Sequence, residues 1–151
     1  MIIFSAYDVK MPIFPKMKTK NWIKRIAGNY NKTIGDIAYI FFTERKILEM
    51  NKQYLKHNYT TDILTFDYTE KNRLSGDLFI SIDTVQSNAK RFLTNFEIEL
   101  YRVMIHGILH LCGINDNTPS QRKIMNEYEN NALNSLYNTV TPVSEQQNCY
   151  S

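Results

Sequence analysis

Hydrophobic and polar positions alternate along this chain in two rhythms, one with strand spacing and one with helical spacing. MIIFSAYD opens as a short strand. KMKTKNWIKRIAGNY then sets Trp22, Ile23, Ile26 and Ala27 at helical intervals, with Lys18, Lys24 and Arg25 mostly elsewhere on the wheel. GDIAYIFFTE is β-rich and predicts a buried strand, and RKILEMNKQYL predicts a helix through Ile47, Met50, Tyr54 and Leu55. TDILTFDY and GDLFISI predict two more strands, and the polar EKNRLS between them makes an antiparallel hairpin the simplest pairing.

Val85, Ala89, Phe92 and Leu93 mark an amphipathic helix, and a second helix starts at Glu97. That second helix is apolar all round, from Ile98 and Leu100 to Leu109 and Leu111, so it is expected to be buried on most sides. Gly113 stands where a C′ glycine would end it. TPSQ at 118–121 is a capping box with proline at the first helical position, followed by a stripe of Ile124, Met125, Tyr128, Ala132, Leu133 and Leu136. The tail TVTPVSEQQNCYS has no periodicity. The expectation is one α+β domain over 1–137, a small mixed β-sheet packed with about five helices around a central buried helix. Residues 138–151 are expected to be a flexible C-terminal tail.

Composition changes this picture little. At 151 residues the chain suits one domain. Its two cysteines, Cys112 and Cys149, make no disulfide framework and fit a reducing, cytoplasmic setting. The N-terminus lacks the basic and apolar regions of a signal peptide, and no run is long enough to span a membrane. Charge is more informative. Residues 1–33 carry seven basic side chains, including Lys24 and Arg25, against Asp8 alone, whereas the remainder has 11 basic and 14 acidic. Such an end either faces a polyanion or is a solvated helix face.

Within the buried helix, HGILHLCGIND places His106 and His110 four residues apart. That spacing puts both imidazoles on one face, about 5–6 Å apart at Cβ, within reach of one ion. Two hydrogen-bonded core histidines would show the same spacing. The stop at Gly113 lets the chain turn back and brings Asp116 toward the pair, giving two imidazoles, one carboxylate and an open position, as in catalytic zinc sites. Cys112, about 200° from His110 on the wheel, reads as a small core residue. Zinc proteases of the HExxH type place a glutamate base after the first histidine, but here that residue is Gly107. Hydrolysis of a phosphodiester fits a basic protein without that base better than hydrolysis of a peptide.

HGILHLCG resembles the HGxLHLxG signature of the YbeY family of bacterial endoribonucleases. MNKQYLKHNYTTDILTFDY, GDLFIS and TPSQRKIMNEYE resemble its other segments in order, with Met125 and Glu129 in place, so the resemblance covers about residues 50–130. It implies a metal-dependent, single-strand-specific endoribonuclease acting in 16S rRNA 3′-end maturation and ribosome quality control. Ribosomal RNA and the small ribosomal subunit would be its partners, with a small-subunit ribosomal protein and an assembly GTPase, and no membrane. One divalent ion is implied, zinc first, with nickel or manganese as alternatives.

The chain departs from the family twice. Asp116 stands where the signature has a third histidine, which gives a His106, His110 and Asp116 ligand set and moves preference somewhat toward harder ions. Leu55 stands where the family has an arginine thought to handle RNA. Lys56 and His57, next along the loop, and Lys24 and Arg25 on the first helix are the candidate RNA contacts, with solvated surface side chains as the equal alternative for Lys56 and His57. Asp62 and Asp77 could orient a histidine, but a structural role at a strand edge is the favoured reading. Two other classes compete: a non-catalytic RNA-binding assembly factor with a structural metal, and a metallopeptidase-like hydrolase.

Overall fold

The computed structural model describes residues 1–54 and 61–138. Leu55, Lys56 and His57 lie outside the described residues, as does the tail after Asn138. Among the described residues four strands, β1 (Ile2–Ala6), β2 (Thr33–Phe42), β3 (Ile63–Asp67) and β4 (Arg73–Ser81), form one sheet in the order β1-β2-β4-β3. Five helices accompany them among those residues: α1 (Lys16–Asn29), α2 (Glu44–Tyr54), α3 (Ile82–Arg91), α4 (Phe96–Leu111) and α5 (Pro119–Asn138).

β1, β2 and β4 run parallel, and β3 pairs antiparallel with β4 at the edge, with Ile63 opposite Ile80 and Asp67 opposite Gly76. The hairpin expected of β3 and β4 is therefore present, and the sheet is mixed. β2 begins at Thr33, two residues before the apolar run suggested, and an irregularity between Ile34 and Ile37 lets the extra residues join the ladder.

α4 is the central helix, packed against the sheet and against α1, α3 and α5. Its all-round apolar character accounts for this: Leu100, Val103, Met104, Ile105, Ile108 and Leu109 are all buried. Two buried polar groups tie the layers together. The Tyr39 hydroxyl on β2 donates to the Met104 carbonyl at 2.9 Å, and the Trp22 indole N–H on α1 donates to the Ala132 carbonyl on α5 at 2.9 Å. At Gly107 the helix lies close against side chains of the sheet. A Cβ there would sit 2.9 Å from Ile63 Cδ1 and 3.3 Å from Leu78 Cδ2, so any side chain at 107 would enter the β3–β4 core. The position of the protease base is thus a packing position in this fold.

Two stripes differ from their sequence reading. α3 stops at Arg91, so Phe92 and Leu93 leave its apolar face and are exposed at 58% and 94%. On α5, Met125, Ala132, Leu133 and Leu136 are buried as expected, but Ile124 is exposed and Glu129 is buried at 3% exposure.

Candidate metal centre

Helix ends built by local sequence bring the candidate ligands together. α4 starts at Asn95, whose side chain accepts from the Ile98 N–H at 2.8 Å. At its other end the Gly113 N–H donates to the His110 carbonyl at 2.9 Å and the Ile114 N–H to the Leu109 carbonyl at 3.1 Å. These bonds, with Gly113 at φ +95°, are a Schellman stop, which reverses the chain at a conformation glycine adopts without a Cβ clash. Asp116 consequently returns to the His106–His110 face. After it, the Thr118 hydroxyl accepts from the Gln121 N–H at 3.1 Å and the Gln121 side chain accepts from the Thr118 N–H at 3.3 Å, so the capping box starts α5 as read.

Asp116 Oδ2 lies 3.3 Å from His106 Nε2 and 3.3 Å from His110 Nε2. One ligand atom from each of the three residues falls within 4.8 Å of the others. Tetrahedral ligands at about 2.0–2.1 Å from an ion stand about 3.3–3.4 Å apart, so both observed N···O separations match the edge of such a polyhedron. All three side chains are half-buried and open to a cleft of about 530 Å³ whose opposite wall is β3. The donor set of two imidazole nitrogens and a carboxylate, with an open side, fits a divalent ion.

Glu129 completes the arrangement. His106 Nδ1 is 2.5 Å from Glu129 Oε2, and Arg102 Nη1 donates to Glu129 Oε1 at 3.0 Å. A hydrogen on Nδ1, donated to Glu129, leaves the Nε2 lone pair free toward Asp116 and His110. Desolvation pulls the His106 imidazole down, yet the hydrogen bond and charge of Glu129, with Asp62 and Asp116, more than offset it and hold it above its ordinary value. Desolvation and the neighbouring His106 hold His110 below its ordinary value, against the pull of Asp116. The sequence reading noted Glu129 only as part of a resemblance. Its signal was there: Met125, Glu129 and Leu133 are spaced by four along α5, so a carboxylate occupies the apolar stripe.

The remaining candidates are placed differently. Asp62 borders the cleft beside His106, and burial raises its carboxyl while His106 lowers it. The hydrogen-bonded orienter of His106 is Glu129. Asp77 accepts from the Tyr68 hydroxyl at 3.4 Å on the exposed hairpin. Lys24 and Arg25 are exposed on α1, with Arg25 reaching the Ser135 hydroxyl on α5 at 3.3 Å, and neither lines the clefts at His106. Cys112 is half-buried, and desolvation pushes its thiol up to about 11, which suits an inert packing residue.

A family model described as Endoribonuclease YbeY matches residues 7–137. A Parabacteroides distasonis protein named Endoribonuclease YbeY is 57% identical over 132 residues, which span 87% of this chain and 93% of that protein. A Bacteroides fragilis protein of the same name is 58% identical over 132 residues, 87% of this chain and 95% of its own. The solution structure of a Thermotoga maritima protein aligns with a TM-score of 0.64 at 26% identity, over 92% of this chain and 91% of that one. Among the described residues no helix is long and apolar enough to cross a membrane.

Proposed function

The chain belongs to the YbeY endoribonuclease family, and on that premise we propose that it is a metal-dependent endoribonuclease hydrolysing phosphodiester bonds of single-stranded ribosomal RNA. Its finer setting in this reading is 16S rRNA 3′-end maturation and ribosome quality control in the cytoplasm. There it meets the small ribosomal subunit, a small-subunit ribosomal protein and an assembly GTPase. The observation that carries the reading is the convergence of His106 Nε2, His110 Nε2 and Asp116 Oδ2 on one point, with Glu129 fixing the His106 tautomer.

His106, His110 and Asp116 would hold the ion, zinc in preference to nickel or manganese. When bound, such an ion supplies a Lewis acid for a phosphoryl oxygen and a water acidic enough to act near neutral pH. The protein's own groups do the positioning. Glu129 keeps His106 Nδ1 protonated and its ring oriented, and Arg102, bonded to Glu129 Oε1 and to Asn130 Oδ1 at 2.7 Å, keeps Glu129 in place. Asp116 offsets one of the ion's two charges. Lys24 and Arg25, which line neither cleft, and Lys56 and His57, outside the described residues, belong to the same reading as contacts to RNA phosphates.

Cleavage of a single-stranded RNA, with a duplex of the same sequence as control, tests this in wild type and His110→Ala. Wild type cuts the single strand and stops on addition of a chelator, whereas His110→Ala retains RNA binding without cutting. Processing that survives His110→Ala while stability falls would favour the assembly-factor reading instead. Peptidase activity that dies with His106→Ala would favour the metallopeptidase.

A further inference from the structure

A second cleft, of about 350 Å³, shares Asp62, His106 and Asp116 with the first, so the two adjoin at the candidate ligand cluster. We propose that the far wall of this second cleft, made by Arg91 and Phe92 at the α3–α4 corner and Arg122 on α5, holds one flank of the single-stranded substrate, with an unpaired base stacked on Phe92. The proposal rests on the endoribonuclease reading and adds the residues that seat the strand.

The backbone of the corner is the first argument. The Leu93 N–H donates to the Lys90 carbonyl at 3.3 Å and the Thr94 N–H to the Ala89 carbonyl at 2.9 Å. This is the same stop that ends α4, but a leucine at φ 55° occupies the position that Gly113 fills there. A branched residue in that conformation is strained, and at 94% exposure Leu93 recovers none of the strain by packing. Asp8 and Asn31, which also have positive φ, are types that tolerate it, and Lys71 takes φ 54° in the tight β3–β4 turn. The result is a hydrogen-bonded corner that leaves Phe92 58% exposed beside the cleft.

Charge is the second argument. The Arg91 guanidinium lies 5.4 Å from the centre of the Phe92 ring, and Arg122 Nη1 donates to the Asn117 carbonyl at 3.4 Å. Among the described residues neither arginine is ion-paired to a carboxylate. The carboxylates of the same cleft are engaged or set back. Glu129 is held by Arg102 and His106, Glu99 is 4% exposed, and Asp62 and Asp116 stand at the end shared with the ligand cluster. Two exposed cations around an outward aromatic ring, continuous with a hydrolytic centre, suit alternating phosphates and bases of a flexible single strand. A duplex cannot offer an unstacked base there, so the corner favours single strands. A purely apolar protein partner would leave both arginines without a counter-charge.

The test uses single-position abasic scanning of a short single-stranded RNA. Binding is measured by fluorescence anisotropy on a His110→Ala background, and cleavage on the metal-loaded chain. One abasic position should weaken binding about fivefold or more in the parent protein, the size of one lost stacking contact. Phe92→Ala should weaken binding of the intact RNA by the same factor and abolish the sensitivity to that position, while Phe92→Trp retains both. Arg91→Gln with Arg122→Gln should raise KM and leave kcat within about twofold. Phe92 is exposed, so thermal melting of its variants should match wild type. If wild type cleaves while the Phe92 and arginine variants match it in affinity and KM, this inference fails and the endoribonuclease reading stands. If the metal-loaded wild type neither binds nor cuts single-stranded RNA, both fail.

Discussion

His106 uses its two ring nitrogens for different work, and the division is set by Glu129. Nδ1 faces the Glu129 carboxylate at 2.5 Å, while Nε2 faces Asp116 at 3.3 Å. Replacing Glu129 with Gln removes the charge that holds the ring and should lower zinc affinity about 10- to 100-fold, read by competition with a chromophoric chelator. Unchanged affinity would mean that Glu129 serves only the Arg102 pair. The same contact predicts opposite pH trends for stripped and loaded protein. Because folding raises the His106 pKa above 6.5, the stability it contributes is fully present below that value and fades as pH rises through the folded value. In metal-free protein His106→Gln should therefore cost more stability at about pH 6 than at about pH 9. A bound ion requires neutral imidazoles, so its stabilisation should instead grow as pH rises through the histidine range. Urea melts with and without zinc at the two pH values measure both, and parallel trends would contradict the assignment.

The elements that place these side chains were legible to the degree that their causes are local. The α4 stop at Gly113, the capping box at Thr118 and the apolar stripe of α4 depend on residues within a few positions of one another, and each forms as read. The order β1-β2-β4-β3 depends on pairings between distant segments, which periodicity alone does not encode. The role of Glu129 was hidden for the same reason, because His106 lies 23 residues away on another helix. Phe92 and Leu93 misled because helical spacing continues two residues beyond Arg91, where α3 ends. Gly113 carries the sharpest prediction at this scale. Gly113→Ala puts a Cβ on a residue at φ +95°, which should cost about 1–2 kcal/mol in a thermal or urea melt. It should also weaken metal binding, because the reversal that returns Asp116 to the histidines is disturbed. Loss of stability with full metal affinity would show that Asp116 is placed by α5 alone.

Across the whole molecule, the candidate ligand cluster lies where α4, the α4–α5 turn and the β3 edge converge, and two adjoining clefts share it. The basic excess of the first 33 residues falls on and around α1, which packs through Trp22 against α5, while Lys24 and Arg25 line neither cleft. Charge distribution thus left a polyanion-facing end and a solvated helix face both open without pointing to the candidate centre, which was legible only through HGILHLCGIND. The account rests on Asp116 standing as third ligand where the family signature has histidine. Metal content and single-stranded RNA cleavage, measured on the same preparations of wild type and Asp116→Ala, test it most directly. Wild type should hold about one zinc per chain and cut the RNA, and Asp116→Ala should lose most of both. An Asp116→Ala protein that keeps its zinc and cuts at the wild-type rate would contradict it.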